Sequence, residues 1–139
     1  MYGKYKHTLD AKGRLFVPSK LRDELGSAFY VVKNAKLFLT VYPEEIWLRK
    51  LEKLKELPTS KVPDMRYIFA NVCKCEPDKQ GRFLLPEDFR QYADLTQEVM
   101  IVGQASCAEI WNAERFEADE AKFFADSEKI AAVMEALEF

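Results

Sequence analysis

Two short runs of this sequence place an arginine where it can bind nucleic acid. The first run is Asp10-Ala-Lys-Gly-Arg14 and the second is Asp78-Lys-Gln-Gly-Arg82, so aspartate, glycine and arginine recur at the same spacing, 68 residues apart. The planar guanidinium of arginine matches O6 and N7 of guanine in the major groove, a pairing worth roughly 1–3 kcal/mol of discrimination. Arg14 and Arg82 are therefore candidate residues for the reading of bases.

Basic residues beside the two runs fit contacts with the DNA backbone, because a lysine ammonium meets phosphate as a point charge. The predicted backbone contacts are Lys12, Lys79, Lys6 and Lys74, and Arg22 and Arg90 complete the predicted DNA-binding set. Asp10 and Asp78 would repel phosphate and are assigned to the turns. A second interpretation stays open, in which Arg14 and Arg82 only fix the turns through salt bridges to these aspartates.

Charge is distributed unevenly along the chain. The net charge is -2, yet residues 1–22 carry +5 and residues 112–139 carry −5. The basic end attracts phosphate and the acidic end repels it. His7, the single histidine, is a possible phosphate contact, although a half-buried or solvated strand histidine is the favoured interpretation.

The residues that enzymes and metal sites need are scarce. A second histidine and a glycine-rich phosphate loop are both lacking, and Glu44-Glu45 is typical of the start of a helix. Cys73, Cys75 and Cys107 lie in apolar stretches and are interpreted as buried free thiols. Zinc would need further ligands beside the first two. We predict a protein that is not an enzyme and uses no cofactor, metal or small-molecule substrate.

The elements that position these residues form a repeated unit. Aspartate favours the start of a type I turn, and glycine supplies the left-handed residue that closes a bulged hairpin loop. The apolar runs 15–17 and 83–85 follow as buried strands, and Pro18 and Pro86 end them and open short helices. Each repeat therefore begins with a hairpin whose turn carries the arginine.

The rest of each unit is a second strand pair and a helix. In the first unit the strands are predicted at 29–33 and 37–42, with a helix from about Pro43. In the second they are predicted at 98–103 and 107–111, with a long terminal helix. Pro58 and Pro63 bracket a linker, followed by a short helix at 64–69. The predicted organisation is a first repeat at 1–57, a linker with a short helix at 58–71, and a second repeat at 72–139.

An apolar stripe runs along the predicted terminal helix. Its members recur every seven residues: Phe116, Phe123, Ile130 and Leu137. Such a stripe must pack against something. Packing on the chain's own strands and packing between subunits both remain open, since Glu120 and Ser127 interrupt the seam.

The repeated motif also carries a family resemblance. Tyr5-Lys-His-Thr-Leu-Asp-Ala-Lys-Gly-Arg14, Val17-Pro18, Val41-Tyr-Pro43 and Trp47 resemble the MraZ family, whose mark is the doubled Asp-x-x-x-Arg. The resemblance spans both repeats and covers the last helix weakly. Residues 34–36 and 76–77 depart from the usual pattern, which affects the expected loop geometry.

The resemblance implies both a fold and a function. The implied fold is α+β, mainly β, with two tandem AbrB-like swapped-hairpin units forming a pseudo-twofold β-barrel with peripheral helices. The implied function is repression of the bacterial division and cell wall operon by a homo-oligomeric ring that binds repeated boxes in double-stranded DNA. The alternative is an AbrB-like antitoxin that neutralises a toxin through its C-terminal segment.

The expected location is the cytoplasm, in association with the nucleoid. No apolar run approaches the roughly 20 residues of a membrane helix, and residues 1–6 lack the apolar core of a signal peptide. We therefore expect no membrane partner.

Overall fold

A computed structural model describes residues 1–58, 60 and 62–139. Within them the strands are β1 (Lys4–Thr8), β2 (Arg14–Phe16), β3 (Phe29–Lys33), β4 (Leu39–Pro43), β5 (Val72–Cys75), β6 (Arg82–Leu84), β7 (Glu98–Gln104) and β8 (Cys107–Asn112). The helices are α1 (Arg22–Leu25), preceded by a 3-10 turn at Ser19–Leu21, α2 (Glu44–Leu54), α3 (Met65–Phe69), α4 (Glu87–Tyr92), α5 (Ala113–Phe124) and α6 (Ser127–Ala136). The α+β prediction is confirmed.

The two halves of the chain exchange strands. Six strands form one antiparallel sheet in the order β1-β7-β8-β4-β3-β5, and β2 pairs with β6 in a separate two-stranded ribbon. The first strand of each half therefore lies on the other half: Tyr5 of β1 faces Ile101 of β7, and Cys73 of β5 faces Val31 of β3. Among the described strands the sheet stays open, with β1 and β5 at its edges, and the pairings do not close into the expected barrel.

The ribbon covers one face of the six-stranded sheet. Successive side chains of a strand point to opposite faces, and Leu15 and Phe83 are the inward residues of β2 and β6. The Phe83 ring meets the edge of Phe29 from β3, with centroids 5.0 Å apart. The main core lies here, between sheet and ribbon, and it fixes the ribbon so that its other face points outward.

Helices α2 and α5 cover the opposite face of the sheet. Trp47 of α2 stacks on Tyr30 of β3 at 5.4 Å between centroids, and Phe116 of α5 meets Trp111 of β8 at 5.5 Å. Tyr30 and Trp111 alternate along their strands with the residues that face the main core. The sheet is thus covered by the ribbon on one side and by the two helices on the other.

Most predicted elements lie within two residues of the observed bounds, and the tail is the exception. The single long helix predicted there is wrong, because the chain folds as α5 and α6, separated at Ala125 and Asp126. The Asp126 side chain accepts a hydrogen bond from the Lys129 amide at 3.1 Å and so begins a new helix. Thr59 and Lys61 of the predicted linker lie outside the described residues. None of the described helices has the length and apolar character needed to cross a membrane.

Candidate nucleic-acid interface

The two arginine-bearing turns have the same internal hydrogen bonds. In the first turn one oxygen of Asp10 accepts from the amides of Lys12 and Arg14, at 2.9 and 2.8 Å. In the second, Asp78 accepts from the amides of Gln80 and Arg82, at 3.0 and 2.9 Å. Gly13 and Gly81 both have φ of 81°, a left-handed conformation that a residue with a Cβ adopts at a cost. The predicted roles of aspartate and glycine in the turns are confirmed.

Each aspartate also holds its arginine. The Nε atom of Arg14 donates to Asp10 Oδ2 at 2.6 Å, and the Nε atom of Arg82 donates to Asp78 Oδ2 at 3.0 Å. The salt bridges of the alternative interpretation are therefore present. They engage the Nε edge of each guanidinium. Within the described part of the chain, the Nη atoms of these two arginines make no hydrogen bond to a protein acceptor, so their fork is available to a ligand.

The same hydrogen bonds lower the pKa values of the two aspartates. Backbone donation from Arg14 is the largest cause that lowers the pKa of Asp10, and donation from Arg82 does the same for Asp78. The side-chain hydrogen bonds and the positive charges of the two arginines lower these pKa values further. Both carboxylates are therefore ionised at neutral pH and fix the orientation of the arginines.

The ribbon brings the two arginines onto one outward face. Its register pairs Arg14 with Leu84 and Phe16 with Arg82 across the strands. Leu15 and Phe83 are the inward residues, so these four side chains point away from the core. The side chains of Arg14 and Arg82 are 29% and 27% exposed. A two-stranded ribbon of this kind fits the major groove of DNA.

Arg22 and Arg90 lie at the ends of the same ribbon. The Nε atom of Arg22 donates to the Val17 carbonyl and that of Arg90 to the Leu85 carbonyl, both at 3.1 Å. Each guanidinium crosses to the turn of the other half. A Cβ placed on Gly81 would lie 2.8 Å from the nearest Arg22 nitrogen, and one on Gly13 would lie 2.6 Å from the Arg90 Cζ. The ribbon thus gathers four arginines around two glycine turns.

Lys12 and Lys79 are exposed on the turns themselves. Neither forms an ion pair with a carboxylate of the described residues. They occupy different places, because Lys12 comes two residues after its aspartate and Lys79 one residue after. Both ammonium groups are thus available to bind an anion beside the arginines.

Lys6 and Lys74 lie on the other face of the sheet. They alternate with core-facing residues on the edge strands β1 and β5 and point to the helix side. Lys6 pairs with Glu117 of α5 at 2.6 Å, and Lys74 lies 3.6 Å from Glu44 of α2. Hydrogen bonding to Glu117 and its charge raise the pKa of Lys6. The structure therefore separates these two lysines from the six other residues of the predicted set.

The remaining candidates are the single histidine and the cysteines. Burial lowers the pKa of His7, and the nearby charge of Arg22 lowers it further, which disfavours a cationic phosphate contact. Of the three thiols predicted to be buried, Cys75 is buried, whereas Cys73 and Cys107 are only half-buried. The sulfur atoms of Cys73 and Cys75 lie 3.9 Å apart. No cluster of three or more metal-ligating side chains occurs among the described residues.

The sequence reasoning missed Phe16 and Leu84. They are 44% and 56% exposed on the outward ribbon face, each opposite one of the two arginines. Both belong to the apolar runs 15–17 and 83–85, which the sequence predicts to be buried. The signal was present in the alternation of each three-residue strand, whose first and third residues share a face when the second points inward.

Known proteins are similar to this chain over nearly its whole length. Residues 1–66 and 68–137 match the family model described as "MraZ protein, putative antitoxin-like". A protein of Caldicellulosiruptor saccharolyticus named "Transcriptional regulator MraZ" is 44% identical over 140 residues, which cover 99% of this chain and 98% of that protein. One of the same name from Lachnoclostridium phytofermentans is 46% identical over 84% of each chain, and one from Halothermothrix orenii is 41% identical over 97% of this chain and 96% of its own.

Proposed function

Because this chain belongs to the MraZ family, whose similar members are named transcriptional regulators, we propose that it is a sequence-specific DNA-binding repressor. One observation carries the proposal: Arg14 and Arg82 are fixed by aspartates on the outward face of one antiparallel ribbon. An arginine whose orientation is set before binding loses less side-chain entropy when it meets a base. The protein would act by binding, without catalysis.

In this mechanism the two arginines read guanines through their free Nη atoms. Arg22 and Arg90 at the ends of the ribbon and Lys12 and Lys79 on the turns would contact phosphates, which position the ribbon without reading sequence. Lys6 and Lys74 remain a prediction, and their pairing with glutamates on the opposite face supports a smaller contribution. The exchange of β1 and β5 between the halves supports the swapped-hairpin unit that the family resemblance implies.

The target is proposed to be a set of repeated boxes upstream of the division and cell wall operon, bound by a homo-oligomeric ring in the cytoplasm at the nucleoid. One ribbon offers few basic groups. Linking several ribbons on one DNA can raise the affinity by about 10² to 10⁴ without any new contact. Repetition in the DNA and repetition in the protein would then supply the affinity together.

The antitoxin alternative has support in the antitoxin-like description of the family. An antitoxin tail that wraps a toxin is usually flexible and poor in aromatic residues. Here the tail begins with α5, whose Phe116 packs against Trp111 on the sheet. The folded start of the tail favours the regulator, and the exposed α6 is the part on which the alternative would depend.

The test of the proposed function compares Arg14→Ala with Arg49→Ala. Arg49 pairs with Glu45 on α2, far from the ribbon, and controls for the loss of one positive charge. Loss of one guanine contact should weaken binding to a selected duplex by about 10- to 100-fold, with unchanged circular dichroism. Arg49→Ala should bind as the unaltered protein does. Equal affinity of the folded Arg14→Ala and Arg49→Ala variants would contradict the proposal.

A further inference from the structure

The outward face of the ribbon is half apolar. Phe16 and Leu84 occupy it beside Arg14 and Arg82, and each apolar residue lies directly across from an arginine. Residues 16 and 84 are also equivalents in the two repeats, 68 positions apart. Large apolar side chains at about half exposure, in equivalent places of both repeats, expose apolar surface that a ligand can cover.

The charged groups around this face identify the kind of ligand. Arg14 and Arg82 lie diagonally across this face, each opposite an apolar residue. Lys12 and Lys79 stand on the adjoining turns without carboxylate partners in the described residues. A face on which apolar side chains alternate with arginines, with a lysine on each adjoining turn, suits a ligand that presents apolar groups and hydrogen-bond acceptors between anionic edges. The major groove of DNA has this arrangement, with phosphates at its edges and thymine methyl groups on its floor.

Resting on the proposed function, we propose that Phe16 and Leu84 are specificity-determining residues that recognise thymine by packing on its 5-methyl group. Apolar side chains, phenylalanine among them, make this contact in the major groove. The arginine would recognise guanine, and the apolar residue would recognise thymine. Each cross-strand pair of the ribbon then reads two kinds of base.

The dimensions of the ribbon set where the thymines lie. Residues two apart on an antiparallel strand, such as Arg14 and Phe16, are separated by about 6.8 Å. This equals the rise of about two base pairs at 3.4 Å each. The thymine read by Phe16 should therefore lie within about two base pairs of the guanine read by Arg14, and the same holds for Leu84 and Arg82.

The experiment removes the methyl group from the DNA and the apolar side chain from the protein. A preferred duplex is first selected from random sequences with the full chain. Each thymine is then replaced by deoxyuridine, which lacks only the 5-methyl group, and the Kd is measured by fluorescence anisotropy. The measurement is repeated with Phe16→Ala, Leu84→Ala and the control Leu48→Ala, which removes an exposed leucine on α2.

We expect one or two thymines near the essential guanines to show about a fourfold loss of affinity, the value for removing one buried methyl group. The Leu48→Ala variant should lose the same affinity when these thymines are replaced. Phe16→Ala should lose none at the thymine that Phe16 contacts, and Leu84→Ala should lose none at the thymine that Leu84 contacts. The inference would be overturned if both ribbon variants still lost affinity on replacement of thymine by deoxyuridine. It would also be overturned if the protein bound a preferred duplex selectively and no thymine replacement changed the Kd. Either result leaves the proposed function standing. Absence of any preferred duplex would overturn both.

Light scattering separates DNA reading from self-association. If Phe16→Ala or Leu84→Ala reduces the size of the assembly while the thymine-specific loss persists, the apolar face binds a second copy of the chain. That result overturns the inference. An unchanged assembly with the loss abolished supports it.

Discussion

The guanidinium of Arg90 lies against Gly13 in the opposite half of the chain, so closely that a Cβ on Gly13 would stand 2.6 Å from the Arg90 Cζ. Gly13 also has φ of 81°. Gly13→Ala should therefore destabilise the protein by about 1–2 kcal/mol through backbone strain and also displace Arg90 from the end of the ribbon. Denaturant unfolding and the Kd for a selected duplex measure the two effects.

Gly26→Ala is the matched control for that substitution. Gly26 has φ of 71°, and an added Cβ would have no neighbour within 4 Å. The Gly26→Ala variant should lose stability through backbone strain and, when folded, should retain its affinity for DNA. If the two variants lose affinity equally, the contact between Arg90 and Gly13 does not position Arg90 for binding.

The aspartates of the turns predict an acid-dependent stability. Hydrogen bonds from Arg14 and Arg82 hold the pKa values of Asp10 and Asp78 below the ordinary 3.8. A lowered folded pKa stabilises the protein fully above pH 3.8, and this contribution is lost as the pH falls through the folded pKa. Asp10→Asn and Asp78→Asn should therefore flatten the pH dependence of Tm below about pH 4. Asp23→Asn, on α1 and outside the two turns, is the matched control. Parallel profiles of Tm against pH for all three variants would contradict the prediction.

Lys12 and Lys6 should differ in their contribution to the salt dependence of binding. Lys12 is exposed on a turn, whereas Lys6 pairs with Glu117 on the helix-covered face. Removing one phosphate contact lowers the slope of log Kd against log salt concentration by about 1. We expect this change for Lys12→Ala and a smaller change for Lys6→Ala. A larger change of slope for Lys6→Ala than for Lys12→Ala would contradict the prediction.

Affinity should increase with the number of boxes that one assembly contacts. We expect duplexes with two or more regularly spaced boxes to bind far more tightly, and with a steeper salt dependence, than a duplex with one. Anisotropy at several salt concentrations, alongside light scattering for the size of the assembly, tests this. A monomer that binds one box as tightly as an assembly binds several would exclude multivalent binding.

Removal of α6 should cost little stability. None of its residues is buried, and Leu137, the last member of the heptad stripe, is exposed. A chain ending at Ala125 should lose less than about 1 kcal/mol of unfolding free energy. Trp111→Ala removes a buried ring from the sheet and should cost about 3 kcal/mol. A comparable loss on truncation would show that the stripe stabilises the chain's own fold.

Local patterns predicted the turns and most strands because their determinants are local. Asp10 and Gly13 act within five residues, and the repeat at Asp78 and Gly81 doubled that signal. Strand partners are different, because the pattern of β1 does not specify whether it pairs within its own half or with β7. The ion pair between Lys6 and Glu117 depends on that exchange and on the packing of α5, so the sequence could not separate Lys6 from Lys12.

The break between α5 and α6 was missed for a related reason. The heptad stripe continues through Ala125 and Asp126, so apolar periodicity alone favours one helix. The capping preference of Asp126 is a local signal that competes with it. The sequence predicts Phe16 and Leu84 to lie in the core, because a short apolar run is typical of a fully buried strand and does not show which face each residue occupies.

Since both turns of the ribbon belong to one covalent chain, they are free to differ. Lys12 and Lys79 stand at different places in their turns, and Phe16 is matched by Leu84. A dimer of identical hairpins would present the same surface in both orientations and would suit a palindrome. The two ends of this ribbon, in contrast, present different side chains. Under the proposed function such a ribbon would read a duplex in one direction, and copies bound to directly repeated boxes would all point the same way.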